Sequence, residues 1–354
     1  MSAETSSPAS TLAPYTDLTP GGVLDALDAV GLRGDGRLIQ LNSYENRVFQ
    51  VFLEEGPVVV AKFYRPARWS DAQILEEHAF AAELARGEIP VAAPIALAVD
   101  ARSPHAALVE PAGATLACAT TEAGARYRFG VAERLAGRAP ELEDPEVLRW
   151  LGRYIGRLHA VGATAPFVHR IALDVASYGE SSRDFLVAER LVSDDVVGRW
   201  QALAAQALAA CRDAFDAAQP RRIRLHGDCH PGNVLWTDAG PHFVDLDDAV
   251  TGPAVQDLWM LLSGDRAART RQLVDVLEGY EAFMDFDARE LRLVEPLRTL
   301  RMLHHSAWIA RRWSDPIFPI NFPWFASPAY WADQCTRLAE QLEAMAEPPL
   351  GSPA

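Results

Sequence analysis

One run, Leu225-His226-Gly227-Asp228-Cys229-His230-Pro231-Gly232-Asn233, with Phe243-Val244-Asp245-Leu246-Asp247 after it, restricts the fold of this chain more than any other segment. Asn233 falls five residues after Asp228, and Asp245 twelve after Asn233. The runs Asn233–Trp236 and His242–Leu246 read as strands on either side of a turn at Thr237–Pro241, so the spacing predicts a hairpin. Such a hairpin carries all three polar side chains to one edge of a sheet. An Asp, an Asn and a second Asp gathered there can orient a hydroxyl and hold a hard divalent cation, Mg2+, through oxygen ligands. Singly each is an ordinary turn-former; spacing and hairpin context set them apart.

The size of the chain, 354 residues with 49% hydrophobic, exceeds one ordinary core and points to two lobes. Its 33 basic and 48 acidic residues give a net charge of −15. That field argues against nucleic acid or an anionic membrane as the main partner. Cys118, Cys211, Cys229 and Cys335 show no paired spacing, as expected of reduced thiols in a cytoplasm. Residues 1–20 read as a disordered tail, its start rich in Ser, Ala, Thr and Pro and without the features of a signal peptide. No apolar run is long enough to span a bilayer. The expectation is a cytoplasmic protein acting as a monomer.

Along the chain, Val23–Val30 reads as a helix stopped by Gly31, followed by strands at Leu38–Leu41, Val48–Leu53 and Val58–Tyr64. Ser70 or Asp71 caps a helix that runs to Arg86. Further strands are expected at Ile95–Val99 and Ala106–Glu110. Residues 21–110 therefore form a β-rich lobe, 111–116 a hinge, 117–346 a helical lobe and 347–354 a tail: an α+β, bilobal architecture. In the helical part, Asp144-Pro145 starts a helix in which Leu148, Leu151, Ile155 and Leu158 recur at three and four. Val196–Ala218, Ala254–Leu262, Arg269–Met284, Asp287–Trp313 and Trp324–Met345 complete the set.

Lys62 lies inside the strand Val58-Val59-Val60-Ala61-Lys62-Phe63-Tyr64, where an ammonium needs an anionic partner. Glu76 and Glu77 on the next helix are the candidates, and they point about 100° apart, so only one can face Lys62; Glu76 is favoured. The loop Asn42–Arg47 joins the first two strands, where Ser43 and backbone N–H groups can donate to phosphate oxygens. It matches neither G-x-G-x-x-G nor a Walker A sequence. His226, Cys229 and His230 lack the second cluster that a zinc site needs; His226 is read as support beneath the loop. Asp257 either holds that loop's backbone or favours a helix N-terminus. Asp247 and Asp248 are read as solvated turn carboxylates, and Trp308–Trp331 as an aromatic cover for the helical lobe.

With these residues in view, His226-Gly227-Asp228 through Asn233 with Asp245 resembles the aminoglycoside phosphotransferase and choline kinase group of kinase-like folds. Leu41–Val48, Lys62-Phe63-Tyr64-Arg65-Pro66, Gln73–His78, Gly252–Leu262 and Asn321-Phe322-Pro323-Trp324 resemble, more closely, the bacterial stress response kinase A family of serine/threonine protein kinases. The resemblance implies a protein-kinase-like fold using ATP and Mg2+. It implies Asp228 as proton acceptor, Asn233 and Asp245 as metal ligands, and Ser43 and Lys62 with Glu76 as ATP contacts. It also implies a hinge around Glu110–Ala112 for adenine. The acceptor it implies is a protein Ser/Thr hydroxyl, with a small-molecule alcohol as the alternative. Gly227 stands where protein kinases carry Arg, and seven residues, Leu246–Gly252, separate Asp245 from the next helix. That is too short for a long activation loop, so switching by activation-loop phosphorylation is not expected.

Overall fold

In a computed structural model that describes residue 15 and residues 17–351, the chain forms two lobes. The first holds α1 (Pro20–Asp28), β1 (Gly34–Leu41), β2 (Arg47–Leu53), β3 (Val59–Phe63), α2 (Asp71–Arg86), β4 (Val109–Pro111), β5 (Ala117–Thr120) and β6 (Arg126–Glu133). The strands make one antiparallel sheet in the order β1-β2-β3-β6-β5-β4. Alternation along the strands sorts the two faces. Val59, Ala61 and Phe63 of β3 and Tyr127, Phe129 and Val131 of β6 are buried in one cluster with Val23 and Leu27 of α1. Val60, Lys62, Gly130 and Ala132 lie between them on the opposite face, which forms one wall of the cleft. Ser70 starts α2 through a capping box with Gln73.

The second lobe contains α3 (Pro145–Gly162), a π-helical turn at Val175–Glu180, α4 (Ser181–Ala188), α5 (Val197–Ala218), β7 (Ile223–Leu225), β8 (Val234–Thr237), β9 (Gly240–Phe243), β10 (Val250–Gly252), α6 (Gln256–Trp259), α7 (Arg266–Tyr280), α8 (Val294–Arg311), α9 (Ile317–Asn321) and α10 (Pro328–Ala346). Leu148, Leu151, Ile155 and Leu158 all point into its core. α3 and α7 pack backbone to backbone: a Cβ on Gly152 would lie 2.0 Å from the Val276 carbonyl. β8 and β9 form the expected hairpin, and β7 pairs with β10.

Three expectations need correction. The first lobe does not end at residue 110, because β5 and β6 carry the chain back through the sheet until Glu133. Ile95–Val99 is not a strand; Pro94 makes a single bridge to Ala132. The ends are docked where they are described. Tyr15 stacks on Tyr127 and its hydroxyl donates to the Phe63 carbonyl, while the Pro348 and Pro349 carbonyls accept from Arg266 and Leu350 is buried. The rest of the expected tails, 1–14, 16 and 352–354, lies outside the described residues. Among the described residues no helix is long and apolar enough to cross a membrane.

Candidate active site

Between the lobes lies a cavity of about 440 Å³. Val48, Val60, Leu135, Leu235 and Val244 supply apolar wall, and Ser43, Lys62, Glu77, Asn233 and Asp245 supply the polar groups. The loop that presents these groups is held from beneath. Asp257, fully buried, accepts from the backbone N–H of His226 and of Gly227, both at 2.8 Å, and lies 3.0 Å from His159 Nε2. Gln256 Nε2 donates to the Gly227 carbonyl at 2.9 Å. Of the two readings open for Asp257, the loop anchor is the one the contacts describe. Each of these buried donors would cost about 1–3 kcal/mol if left unpaired.

Gly227 has φ +85, and a Cβ there would stand 2.1 Å from the Asp248 carbonyl. The crossing of residue 248 is thus why glycine precedes Asp228. His226 Nε2 lies 3.0 Å from the Val244 carbonyl, tying the loop to the end of the hairpin. Asn233 Nδ2 donates to the Asp228 carbonyl at 2.9 Å and sits 3.4 Å from its carboxylate. Its own carbonyl oxygen remains for a cation. Asp245 adopts the left-handed conformation, φ 60 and ψ 60, a strain of order 1–3 kcal/mol that the surrounding loop sustains.

Lys62 Nζ contacts Asp245 Oδ1 at 2.7 Å. Burial opposes its charge, but Asp245, Asp247 and Glu77 outweigh it and hold the ammonium well above the usual lysine range. The glutamate facing this cavity is Glu77, not Glu76. Burial first, then the neighbouring Asp247, raises the Glu77 carboxyl to about 7 against the opposing pull of Lys62. Glu76 accepts instead from the backbone N–H groups of Val168, His169 and Arg170. The phase of α2, set by its Ser70 cap, turns Glu76 toward that loop. Arg170 in turn donates to the Gln73, Asp247 and Ala249 carbonyls, stapling α2 to the loop after Asp245.

Glu110 and Ala112 are not at the cleft. Glu110 lies on β4, at the far edge of the sheet, exposed and paired with Arg126 at 2.7 Å; the Ala112 N–H donates to Leu116 in the β4–β5 turn. The segment joining the lobes beside the cavity is 132–137, because β6 rather than β4 neighbours β3. Ser43 lines the cavity as expected, and its Oγ accepts from the Asn46 N–H at 3.2 Å.

The catalytic loop has partners that no local pattern announces. Arg301 of α8 contacts Asp228 Oδ1 at 2.7 Å, and His230 Nε2 lies 3.4 Å from Oδ2. Burial works against the Asp228 charge, yet His230 and Arg301 hold its carboxyl well below the usual carboxylate range. Asp247 is buried rather than solvated, and Arg68 grips it together with Asp248. Burial, with Asp228, Asp247 and Asp245 nearby, pushes Asp248 up to about 6 even though Arg68 opposes this. Above the cleft, Glu45 is bound by Arg65 at 3.0 Å, by Arg312 at 2.5 Å and by Trp308 Nε1 at 2.7 Å. Asp315 binds Arg47 and Arg65. The loop after β1 is therefore latched to α8 and α9. Trp308, Phe318, Phe322 and Trp324 pack ring on ring over this latch, so the aromatic segment is a cover. Among the described residues no group of three or more His, Cys, Asp and Glu side chains is placed to hold a metal ion.

A cavity with an ammonium, a carboxamide and two carboxylates, open on one side to an apolar slot, suits a nucleotide triphosphate and a hard cation. The profile of the phosphotransferase enzyme family matches residues 37–294. Stress response kinase A of Escherichia coli (strain K12) is 41% identical over 340 residues, covering 95% of this chain and 96% of that one. The serine/threonine protein kinase RdoA of Salmonella typhimurium is 41% identical over 336 residues, covering 95% and 96%. Among solved structures, the amicoumacin kinase hAmiN in complex with AMP-PNP and Ca2+ aligns with a TM-score of 0.65 at 20% identity, over 89% of this chain and 90% of that one. A microcompartment-associated aminopropanol kinase aligns at 0.67 and 18%, over 91% and 97%. The structural matches establish the bilobal kinase-like fold, and with the sequence matches the chain belongs to the phosphotransferase enzyme family and, within it, to the stress response kinase A family of kinases.

Proposed function

We propose that the chain is an ATP- and Mg2+-dependent serine/threonine protein kinase of a bacterial stress response, acting in the cytoplasm. The observation that carries the reading is that Lys62, Asn233 and Asp245 line one cleft, with Lys62 on Asp245 and Asp228 beside Asn233. The acceptor class is supported by the Salmonella relative, a serine/threonine protein kinase; the location is supported by four buried, unpaired cysteines.

In this reading Asn233 and Asp245 hold the metal ion, and the apolar wall with the 132–137 backbone holds the base. Held there, Mg2+ would supply charge neutralisation at the phosphoryl oxygens. Lys62, released from Asp245, neutralises the phosphates, with Glu77 as its second anion. Asp228 accepts a hydrogen bond from the acceptor hydroxyl and takes its proton at a carboxylate oxygen as the new P–O bond forms and the bond from the γ-phosphorus to the β-phosphate oxygen breaks, releasing ADP. With its basicity held down by His230 and Arg301, Asp228 works chiefly by aiming that hydroxyl. Asp257 and Gln256 keep the loop in place. From Asp245 the chain passes through a short helical turn directly into β10, which leaves no long segment to be ordered by phosphorylation.

The test is transfer from γ-labelled ATP, with Asp228→Ala as the blank, to Ser/Thr peptides and to a panel of small alcohols and aminoglycosides. Label on peptide Ser or Thr is expected. Label confined to a small alcohol would replace this reading with the small-molecule alternative.

A further inference from the structure

Beside the catalytic loop lies a second cavity, of about 290 Å³, that shares no lining residue with the nucleotide cleft. Its wall includes Arg68, Trp69, His304, Arg311 and Arg312, with Asp248 as its acid. Three buried nitrogens on that wall have no partner among the described residues: Trp69 Nε1, His304 Nδ1 and Arg312 Nε. Arg312 is only 4% exposed. Two of the three are obligate donors. The wall's charges are unevenly matched. Arg68 is satisfied by Asp247 and Asp248, and Arg312 reaches Glu45 with its far nitrogen. Arg311 stacks on Phe185 and, among the described residues, makes no ion pair. Buried N–H groups are costly unless something accepts from them.

The cavity is placed for the acceptor rather than the nucleotide. Arg301, which touches Asp228, and His304, Trp308 and Arg311 recur at three and four along α8, so they share one face. Asp248 and Tyr178 on the cavity wall both feel the charge of Asp228. We infer that this cavity binds an oxyanion, a carboxylate or phosphate borne by the acceptor, so that the enzyme selects hydroxyls near an existing negative charge. The selection role rests on the protein-kinase reading; the anion site itself does not. A rise of 1.5 Å per residue puts Arg311 roughly 15 Å along α8 from Arg301, which an extended peptide covers in about five residues.

Two experiments on the full chain separate these points. In the first, inorganic phosphate is titrated calorimetrically in the presence of excess ADP and Mg2+. Saturable binding is expected in the wild type. In Arg311→Gln, which keeps the stem over Phe185, it should weaken about tenfold or more, the scale of a charge-assisted bond. Arg337→Gln, whose residue pairs with Asp333 away from the cavity, should bind like the wild type. Equal affinity in wild type and Arg311→Gln, or no saturable binding, overturns the site. In the second, Ser peptides carry glutamate, phosphoserine or lysine at each of the positions within about five residues of the acceptor. A kcat/KM advantage of about tenfold for the acidic or phosphorylated set is expected, lost through KM in Arg311→Gln. Whichever of glutamate and phosphoserine wins identifies the oxyanion. Equal kcat/KM for all three sets overturns the selection role. Phosphate binding that depends on Arg311, with no peptide phosphorylated, keeps the site and sinks the protein-kinase reading instead.

Discussion

The nucleotide cleft and the α8 cavity flank the same loop, residues 245–248, and are made of different materials. The cleft is a sheet face: apolar side chains one residue out of phase with the core, plus Lys62 and the catalytic-loop polar groups. The cavity is an ionic lattice in which Arg68 and the adjacent pair Arg311 and Arg312 come from segments far apart in sequence. Period-two alternation builds the first, so neighbouring residues specify it. Only tertiary folding brings together the second. The proposed nucleotide handling thus rests on a locally specified frame, whereas the proposed choice of acceptor rests on contacts between segments distant in sequence.

The frame is most easily broken at Gly227, where any side chain must displace the Asp248 backbone in a left-handed conformation. Gly227→Ala should cost about 4 kcal/mol or more, seen as a lowered melting temperature with transfer abolished. Full activity and an unchanged melt would show that the two loops are not locked together. Next in size, Asp228→Ala should lower turnover by about 10²–10⁴-fold, measured with saturating ATP and peptide. Turnover close to wild type would remove Asp228 from the chemistry.

What the sequence made readable divides along the same line. The 228–233–245 spacing, the hairpin, the Ser70 cap and Lys62 on β3 were all visible, because each is local. The boundary between lobes was not, although Arg-Tyr-Arg-Phe-Gly-Val at residues 126–131 alternates in the manner of a strand. Pro111-Ala112-Gly113 resembled a lobe boundary, and alanine at 117 and 119 diluted the β signal of β5. The hinge expected around Glu110–Ala112 therefore lies away from the cleft, which is lined instead by 132–137. Glu76 and Glu77 could not be told apart without knowing that the amides of Val168–Arg170 need an acceptor. Arg301 meets Asp228 across 73 positions, and no local pattern announces that.

Glu77 sharpens the nucleotide side. Its carboxyl titrates near 7, so its negative form disappears as pH falls through that value. The kcat/KM for ATP should decline on the acid side with a midpoint near 7, and Glu77→Gln should flatten that limb while Glu76→Gln retains it. The native pKa lies above the ordinary 4.5, so between those values the unfolded chain ionises first and stability falls as pH rises. Glu77→Gln should remove that slope in a urea titration across pH. A profile unmoved by Glu77→Gln would exclude it as the partner of Lys62. The smallest effect belongs to the acceptor side: Arg301→Ala removes one of the groups holding the Asp228 carboxyl down, so that carboxyl should titrate at higher pH, followed by NMR, while KM for ATP stays fixed. A changed KM for ATP would mean that α8 reaches into the nucleotide half.

The account stands most directly on how MgATP affinity responds to two single changes, measured by calorimetry on the full chain. Asp245→Ala should weaken MgATP by about tenfold or more, while Asp228→Ala binds it as the wild type does yet turns over about 10²–10⁴-fold more slowly. If Asp228→Ala loses MgATP as severely as Asp245→Ala, or if Asp245→Ala binds it unimpaired, the division of roles around this cleft is wrong.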